Sequence, residues 1–259
     1  MVHVMTKLRL PARDPRTVAR DIPGISDALF PQIAPGVVRH FNLGAYEVPG
    51  CRAVSPDLVT ASSMQHAMLF EIAVVAGEQL VRGSTSIDVG AAIDLAVNRQ
   101  RRHFDAKLPQ GITSKDEEII FAIAHNLSAM LNTVCNGRNE PLIRSPHIPG
   151  FQWIASGVGD FSIGSTLIEV KCTNKMFSSS DYRQVMMYWL LSYASSIEGK
   201  SIEWSDALLI NPRSNTIVEI SFNEIIQVIG AGRSKVEILE LFSSMVGDCG
   251  NRMIFGSPL

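Results

Sequence analysis

The chain has 259 residues, 46% of them hydrophobic and 19% charged, with a formal net charge of −2. This composition suits one large folded domain or two small ones and excludes an intrinsically disordered chain. The charge excludes a global basic field, so a nucleic-acid ligand must be held by a local basic patch, by metal ions or with a partner's help.

The first 60 residues carry Pro11, Pro15, Pro23, Pro31, Pro35, Pro49 and Pro56 and read as loops and short elements wrapped on a body. A helix is expected over 62–81, where Met68, Leu69, Ile72, Val75 and Ala76 recur at helical spacing and Gly83 can end it. A second helix is expected over 89–104. Ser114 and Glu117 have the spacing of a capping box, and the acids Asp116, Glu117 and Glu118 suit the positive end of a helix dipole. That helix is expected to run to about 134, with an apolar stripe of Ile119, Ile120, Ile123, Leu127, Met130 and Leu131.

The period then changes. Residues 151–155, 158–163 and 166–172 read as three short strands, with Ser156-Gly157 and Gly164-Ser165 as tight turns. A helix is expected over 180–195 after a serine-rich start, then strands over 207–210 and 216–221 around a turn at 211–215, and a helix from near Asn223. The fold class is α/β, a small mixed β-sheet flanked by helices over 114–259, with residues 1–113 as a partly helical N-terminal elaboration.

The chemistry-bearing segment runs from Asp160 to Thr173. Residues two apart on a strand share a face, so Glu169, Lys171 and Thr173 point one way, and Ile168, Val170 and Cys172 point the other way into a core. A hairpin through Gly164-Ser165 brings Asp160 alongside Glu169. Two carboxylates can hold a hard cation such as Mg²⁺, which polarises a phosphate and acidifies a water. Lys171 can orient that water or offset developing charge, and the Val170 carbonyl can add a metal ligand. The same spacing also suits an exposed strand edge carrying an ion pair.

The segment resembles the PD-(D/E)xK nuclease superfamily, in which an acid, a short hairpin and E-x-K or D-x-K on the next strand form the site. The order of elements over roughly 114–221 is similar to that superfamily's restriction-endonuclease-like core. Gln184 and Tyr188, one turn apart on the following helix, resemble the Q-x-x-x-Y pair of the RecB-like branch. Gly159 stands where the pattern has proline, and Glu169 where that branch has aspartate.

The resemblance implies a metal-dependent deoxyribonuclease using Mg²⁺ or Mn²⁺. Asp160, Glu169, Lys171 and Gln184 form its site, and Tyr188 faces DNA. It also implies a further ligand from the first core helix, Glu118 or else His125. Lys175 and the basic run Arg99, Arg101, Arg102 and His103 are candidates for phosphate contact, and the run also suits a solvated helix face. DNA is favoured over RNA as substrate. A helicase or ATPase partner, a homodimer, and a role in phage defence or DNA repair are implied by the superfamily's habits.

Two other readings stay open: a catalytically silent nucleic-acid- or protein-binding subunit, and an unrelated α/β domain with a chance motif. Cys51, Cys135, Cys172 and Cys249 are far apart and form no CxxC pair, so they read as reduced thiols of a cytoplasmic protein rather than a zinc or iron–sulfur site. The most apolar stretch, 67–76, is short and broken by Glu71, so no membrane span is expected.

Overall fold

The computed structural model describes residues 12–22, 24–100, 111–136 and 138–255. The proline-rich segment forms short helices: α1 (Pro15–Asp21), α2 (Ile25–Leu29), α3 (Pro35–Asn42) and α4 (Pro56–Thr60). Helices α1, α3 and α4 each begin on a proline. There the missing N–H has no intrahelical partner to lose and the ring presets φ for the helix. So prolines that mark loops elsewhere mark helix starts here.

Helices α5 (His66–Val81), α6 (Val89–Gln100) and α7 (Ser114–Cys135) follow. The expected extension of α6 past Gln100 falls outside the described residues. The cap of α7 sits one residue earlier than expected: Thr113 accepts from the Asp116 amide, and the Asp116 carboxylate accepts from the Thr113 amide at 2.9 Å. Asp116 also accepts from the Ser62 hydroxyl, tying this cap to the segment before α5 and leaving Glu117 exposed. Helix α5 starts at His66 rather than 62.

Strands β1 (Leu142–Arg144), β2 (His147–Ile148), β3 (Gly157–Val158), β4 (Phe161–Ile163) and β5 (Thr166–Val170) come next. The expected strand over 151–155 is a tight turn instead. Phe151 and Ile154 bond each other's backbone, and Trp153 is drawn inward to donate its indole N–H to the Val246 carbonyl at 2.7 Å. The expected strand over 158–163 is divided. Its first part pairs with β2 and its second with β1, and the change of partner falls at Gly159-Asp160.

Helix α8 (Ser179–Ile197) crosses to β6 (Asp206–Asn211), which is followed by β7 (Thr216–Ser221), α9 (Phe222–Ile229) and α10 (Lys235–Phe255). The main sheet has the order β1-β4-β5-β6-β7, with β5 and β6 parallel and the other pairs antiparallel. A parallel pair needs a long crossover, and α8 supplies it. The fold is therefore mixed α/β, a five-stranded sheet with helices on both faces.

On one face, Val185, Trp189 and Leu190 of α8 meet Leu167, Leu209 and Val218 together with Val18, Leu29 and Phe242 from helices at both ends of the chain. On the other face, Leu127, Met130 and Leu131 of α7 meet Phe161, Ile168, Leu208 and Ile217. Each such fully buried aliphatic side chain contributes roughly 1.5–3 kcal/mol. Helix α7 is long and apolar enough to cross a membrane by length and composition. It lies instead between the sheet and α5, a core helix of a layered domain. At Gly77 the two helices approach so closely that an added Cβ would sit 2.9 Å from a Leu127 methyl and 3.2 Å from the Ala124 carbonyl oxygen.

Candidate active site

Strand β5 alternates between the two layers. Leu167 belongs to the core under α8 and Ile168 to the core under α7, so Glu169 falls on the α8 side. The hairpin joining β4 to β5 turns at Gly164, whose φ of +53° is open to glycine at little cost. Its register pairs Phe161 with Ile168, and one step further out sets Asp160 opposite Glu169. The ladder does not continue there as a backbone pair. The Asp160 carbonyl accepts from Ser145 at 2.9 Å, and its carboxylate oxygen Oδ2 accepts from the Val170 amide at 2.7 Å.

Glu169 is completely buried. Its Oε1 accepts from Gln184 Nε2 at 2.6 Å, from Lys171 Nζ at 2.8 Å and from Arg16 at 3.4 Å. Its Oε2 is buried with no hydrogen-bond partner. A lone buried carboxylate oxygen is costly unless something of opposite charge reaches it.

Helix α8 enters the site with its first two turns. Ser178 and Asp181 form its capping box, with the Ser178 amide donating to Asp181 Oδ2 at 2.8 Å. Gln184, one turn later, is fully buried and satisfied on both ends. Its Oε1 accepts from Lys171 at 2.9 Å and from Arg20 at 2.8 Å, while its Nε2 donates to Glu169 and to the Tyr188 hydroxyl. The Lys171 ammonium thus lies among Glu169, Gln184 and, at 3.8 Å, Asp181.

Arg16 and Arg20 were not legible as site residues in the sequence. Both come from α1, which packs along α8. Asp14 caps α1 by accepting from the Arg16 and Thr17 amides, and Val18 and Ala19 bury its inner face. Arg20 also pairs with Asp181 at 3.5 Å.

The electrostatics follow from this crowding. Burial and the neighbouring Glu169 push the Asp160 carboxyl up to about 7, against the partial relief given by the Val170 amide, Lys171 and Arg16. Burial opposes the charge of Arg16, but Glu169, Tyr188 and Asp160 outweigh it and hold the guanidinium pKa above its ordinary value. Burial, with Glu169 beside it, likewise raises Tyr188. Cys172, on the opposite side of the strand, is pushed up to about 12 by burial, so its thiol stays protonated and is no nucleophile.

The structure brings together Asp160, Glu169, Val170, Lys171, Gln184 and Tyr188. Several other expectations need correction. Tyr188 is 3% exposed and bonded to Gln184 and Arg16, so it braces the site and offers no face to DNA. Glu118 and His125 lie on the exposed side of α7. The α7 residues facing the sheet and α5 are those of the Ile120–Leu127–Leu131 stripe, so neither Glu118 nor His125 is a ligand beside Asp160. Lys175 is exposed in the loop after β5. Arg99 is spent on Glu78, bound through two nitrogens at 2.8 and 2.9 Å, and on Glu71 at 3.3 Å. Arg101, Arg102 and His103 lie outside the described residues.

Among the described residues, no three or more His, Cys, Asp or Glu side chains converge as metal ligands. Asp160 and Glu169 nonetheless fit a hard divalent cation. They are two carboxylates in register, one with an unpartnered buried oxygen, and a cation such as Mg²⁺ retains waters for its remaining positions. No protein-family model matches the chain, and no curated protein matches it.

Proposed function

We propose that this protein is a metal-dependent nuclease that hydrolyses phosphodiester bonds, with DNA as its substrate. The observation that carries this reading is Glu169: wholly buried, bound on one oxygen by Lys171 and Gln184, unpartnered on the other, and set across the hairpin from Asp160. The order α7, β1, β4, β5, α8, β6, with β5 and β6 parallel, supports a restriction-endonuclease-like core of the PD-(D/E)xK kind.

In this reading Asp160, Glu169 and the Val170 carbonyl hold Mg²⁺ or Mn²⁺. Bound there, the cation supplies charge neutralisation at the phosphate and a more acidic water. Lys171 donates toward the attacking water or the phosphate oxygens, where negative charge grows. Gln184 fixes both Glu169 and Lys171, and Tyr188 fixes Gln184. A helicase or ATPase partner, a homodimer that cuts both strands, a role in phage defence or DNA repair, and a cytoplasmic location belong to the same proposal.

A second reading, a catalytically silent nucleic-acid- or protein-binding module, draws on one observation. Arg16 and Lys171 both pair with Glu169, so its charge is already met without a metal. The test compares wild type with Asp160→Ala and Lys171→Ala on linear, circular and single-stranded DNA and on RNA, with Mg²⁺, Mn²⁺ or EDTA. Metal-dependent cleavage abolished by both substitutions is the expected result. Absence of both cleavage and Mn²⁺ binding in the wild type favours the silent module.

A further inference from the structure

Arg16 stands apart from the other cations of the site. Lys171 is 14% exposed and Arg20 31%, whereas the Arg16 side chain is 47% exposed while touching a carboxylate that is completely buried. It therefore spans from the floor of the site to solvent. Its bond to Glu169 is also the weakest of the three that Oε1 receives, 3.4 Å against 2.6 and 2.8 Å. Glu169 has its geometry fixed by Gln184 and Lys171 without it.

The helix that carries Arg16 is firmly held. The backbones of Arg13 and Ala155 bond at 2.8 Å, Pro15 lies against Gly157, and Val18 is buried in the core under α8. Arg16 thus presents a part-exposed guanidinium, touching Glu169 and Tyr188, from a fixed base, as a substrate-positioning group needs to do.

The charge balance tells what such a group is for. Asp160, Glu169 and Asp181 face Lys171, Arg16 and Arg20, three acids against three bases. A divalent cation on Asp160 and Glu169 leaves this cluster with two surplus positive charges and weakens the hold of Glu169 on Arg16. A planar guanidinium released at the mouth of such a site matches the paired oxygens of a phosphodiester.

We propose that Arg16 is the phosphate-binding residue of this site: on metal binding it leaves Glu169 and clamps the non-bridging oxygens of the phosphodiester to be cut. This rests on the nuclease reading above. The N-terminal elaboration then supplies part of the active site, and a catalytic core without α1 lacks its substrate clamp.

The experiment uses the full chain with Arg16→Ala, Arg16→Lys and Asp160→Ala. Mn²⁺ binding is measured by isothermal titration calorimetry. Binding of short single- and double-stranded oligodeoxynucleotides is measured by fluorescence anisotropy in Ca²⁺ over a range of salt, and cleavage is followed in Mg²⁺. Arg16→Ala is expected to bind Mn²⁺ within about threefold of wild type, to lose roughly tenfold or more in DNA affinity, and to lower the salt slope by about one. Arg16→Lys is expected to recover the salt slope and only part of the affinity.

DNA binding and cleavage by Arg16→Ala at or above wild-type levels, with Mn²⁺ binding intact, would overturn the proposal and make Arg16 a mere cover. Loss of Mn²⁺ binding in Arg16→Ala, as in Asp160→Ala, would overturn it in favour of a structural role. Mn²⁺ binding by a wild type that holds no DNA also removes the clamp while leaving the metal pair in place. A wild type that binds no Mn²⁺ brings down the metal reading itself, and the clamp with it.

Discussion

Replacing Asp160 by asparagine keeps the shape of the side chain and an oxygen to accept from the Val170 amide, but removes a carboxyl that the fold holds at a disadvantage. Burial and Glu169 raise that carboxyl from 3.8 to about 7. At about 1.4 kcal/mol per unit, the ceiling on the penalty is about 4 kcal/mol. Asp160 is partly open to solvent, and screening lowers the working figure to about 1–2 kcal/mol.

The sign is fixed by the direction of the shift. Between pH 3.8 and about 7 the folded state keeps a proton that the unfolded state has released, so wild-type stability falls as pH rises through this window and levels off above it. Asp160→Asn is therefore expected to melt about 2–8 °C above wild type at pH 8 without metal, and together with it near pH 4. Mg²⁺ in excess is expected to stabilise wild type at pH 8, by about 2.7 kcal/mol at a hundred times Kd, and to leave Asp160→Asn unmoved. Differential scanning fluorimetry at the two pH values, with and without Mg²⁺, reads both effects. A variant that melts below wild type by the same amount at pH 4 and pH 8 would refute the claim that Asp160 and Glu169 are held together against their repulsion.

Gln184→Ala strands Lys171, Arg20 and Tyr188 around a buried cavity. It is expected to cost about 2–4 kcal/mol in urea unfolding, and a midpoint within error of wild type would show those bonds to be idle. Gly77→Val drives a branched side chain into Leu127 and the Ala124 carbonyl where α5 meets α7, and a loss of about 1–3 kcal/mol is expected from the same measurement. Glu118→Ala and His125→Ala, both on the exposed side of α7, are expected to leave Mn²⁺ affinity within twofold of wild type. A loss comparable to that of Asp160→Ala would restore one of them to the metal site.

The hairpin was readable because everything that defines it is local. The glycine turn, the alternation on β5 and the nine-residue interval from Asp160 to Glu169 all sit within a dozen residues. Gln184 and Tyr188 were readable as a pair for the same reason, one turn apart on one helix. What Tyr188 faces was not, because α8 is buried on nearly every side and its sequence has no polar stripe to orient it.

The error at Glu118 and His125 has a related cause. Residue types alone do not say which side of α7 meets the sheet, and Glu118 and His125 are both exposed. The α7 cap slipped by one because Thr-Ser-Lys-Asp-Glu satisfies the capping pattern in two registers, and only the Ser62 bond to Asp116 selects between them. Arg16 and Arg20 carry no local signal of their role. They reach Glu169 and Gln184 across 153 and 164 residues of chain.

That separation has a consequence for how the molecule is made. During synthesis α1 leaves the ribosome before the helix it packs on, which emerges more than 150 residues later. Contacts of such long span form late, after local hairpins and helix pairs, because closing a large loop costs entropy before any contact repays it. The β4–β5 hairpin and the α5–α7 pair are local by comparison, so Arg16 and Arg20 dock after them. Docking of α1 is therefore the step at which a folding nascent chain becomes a finished site.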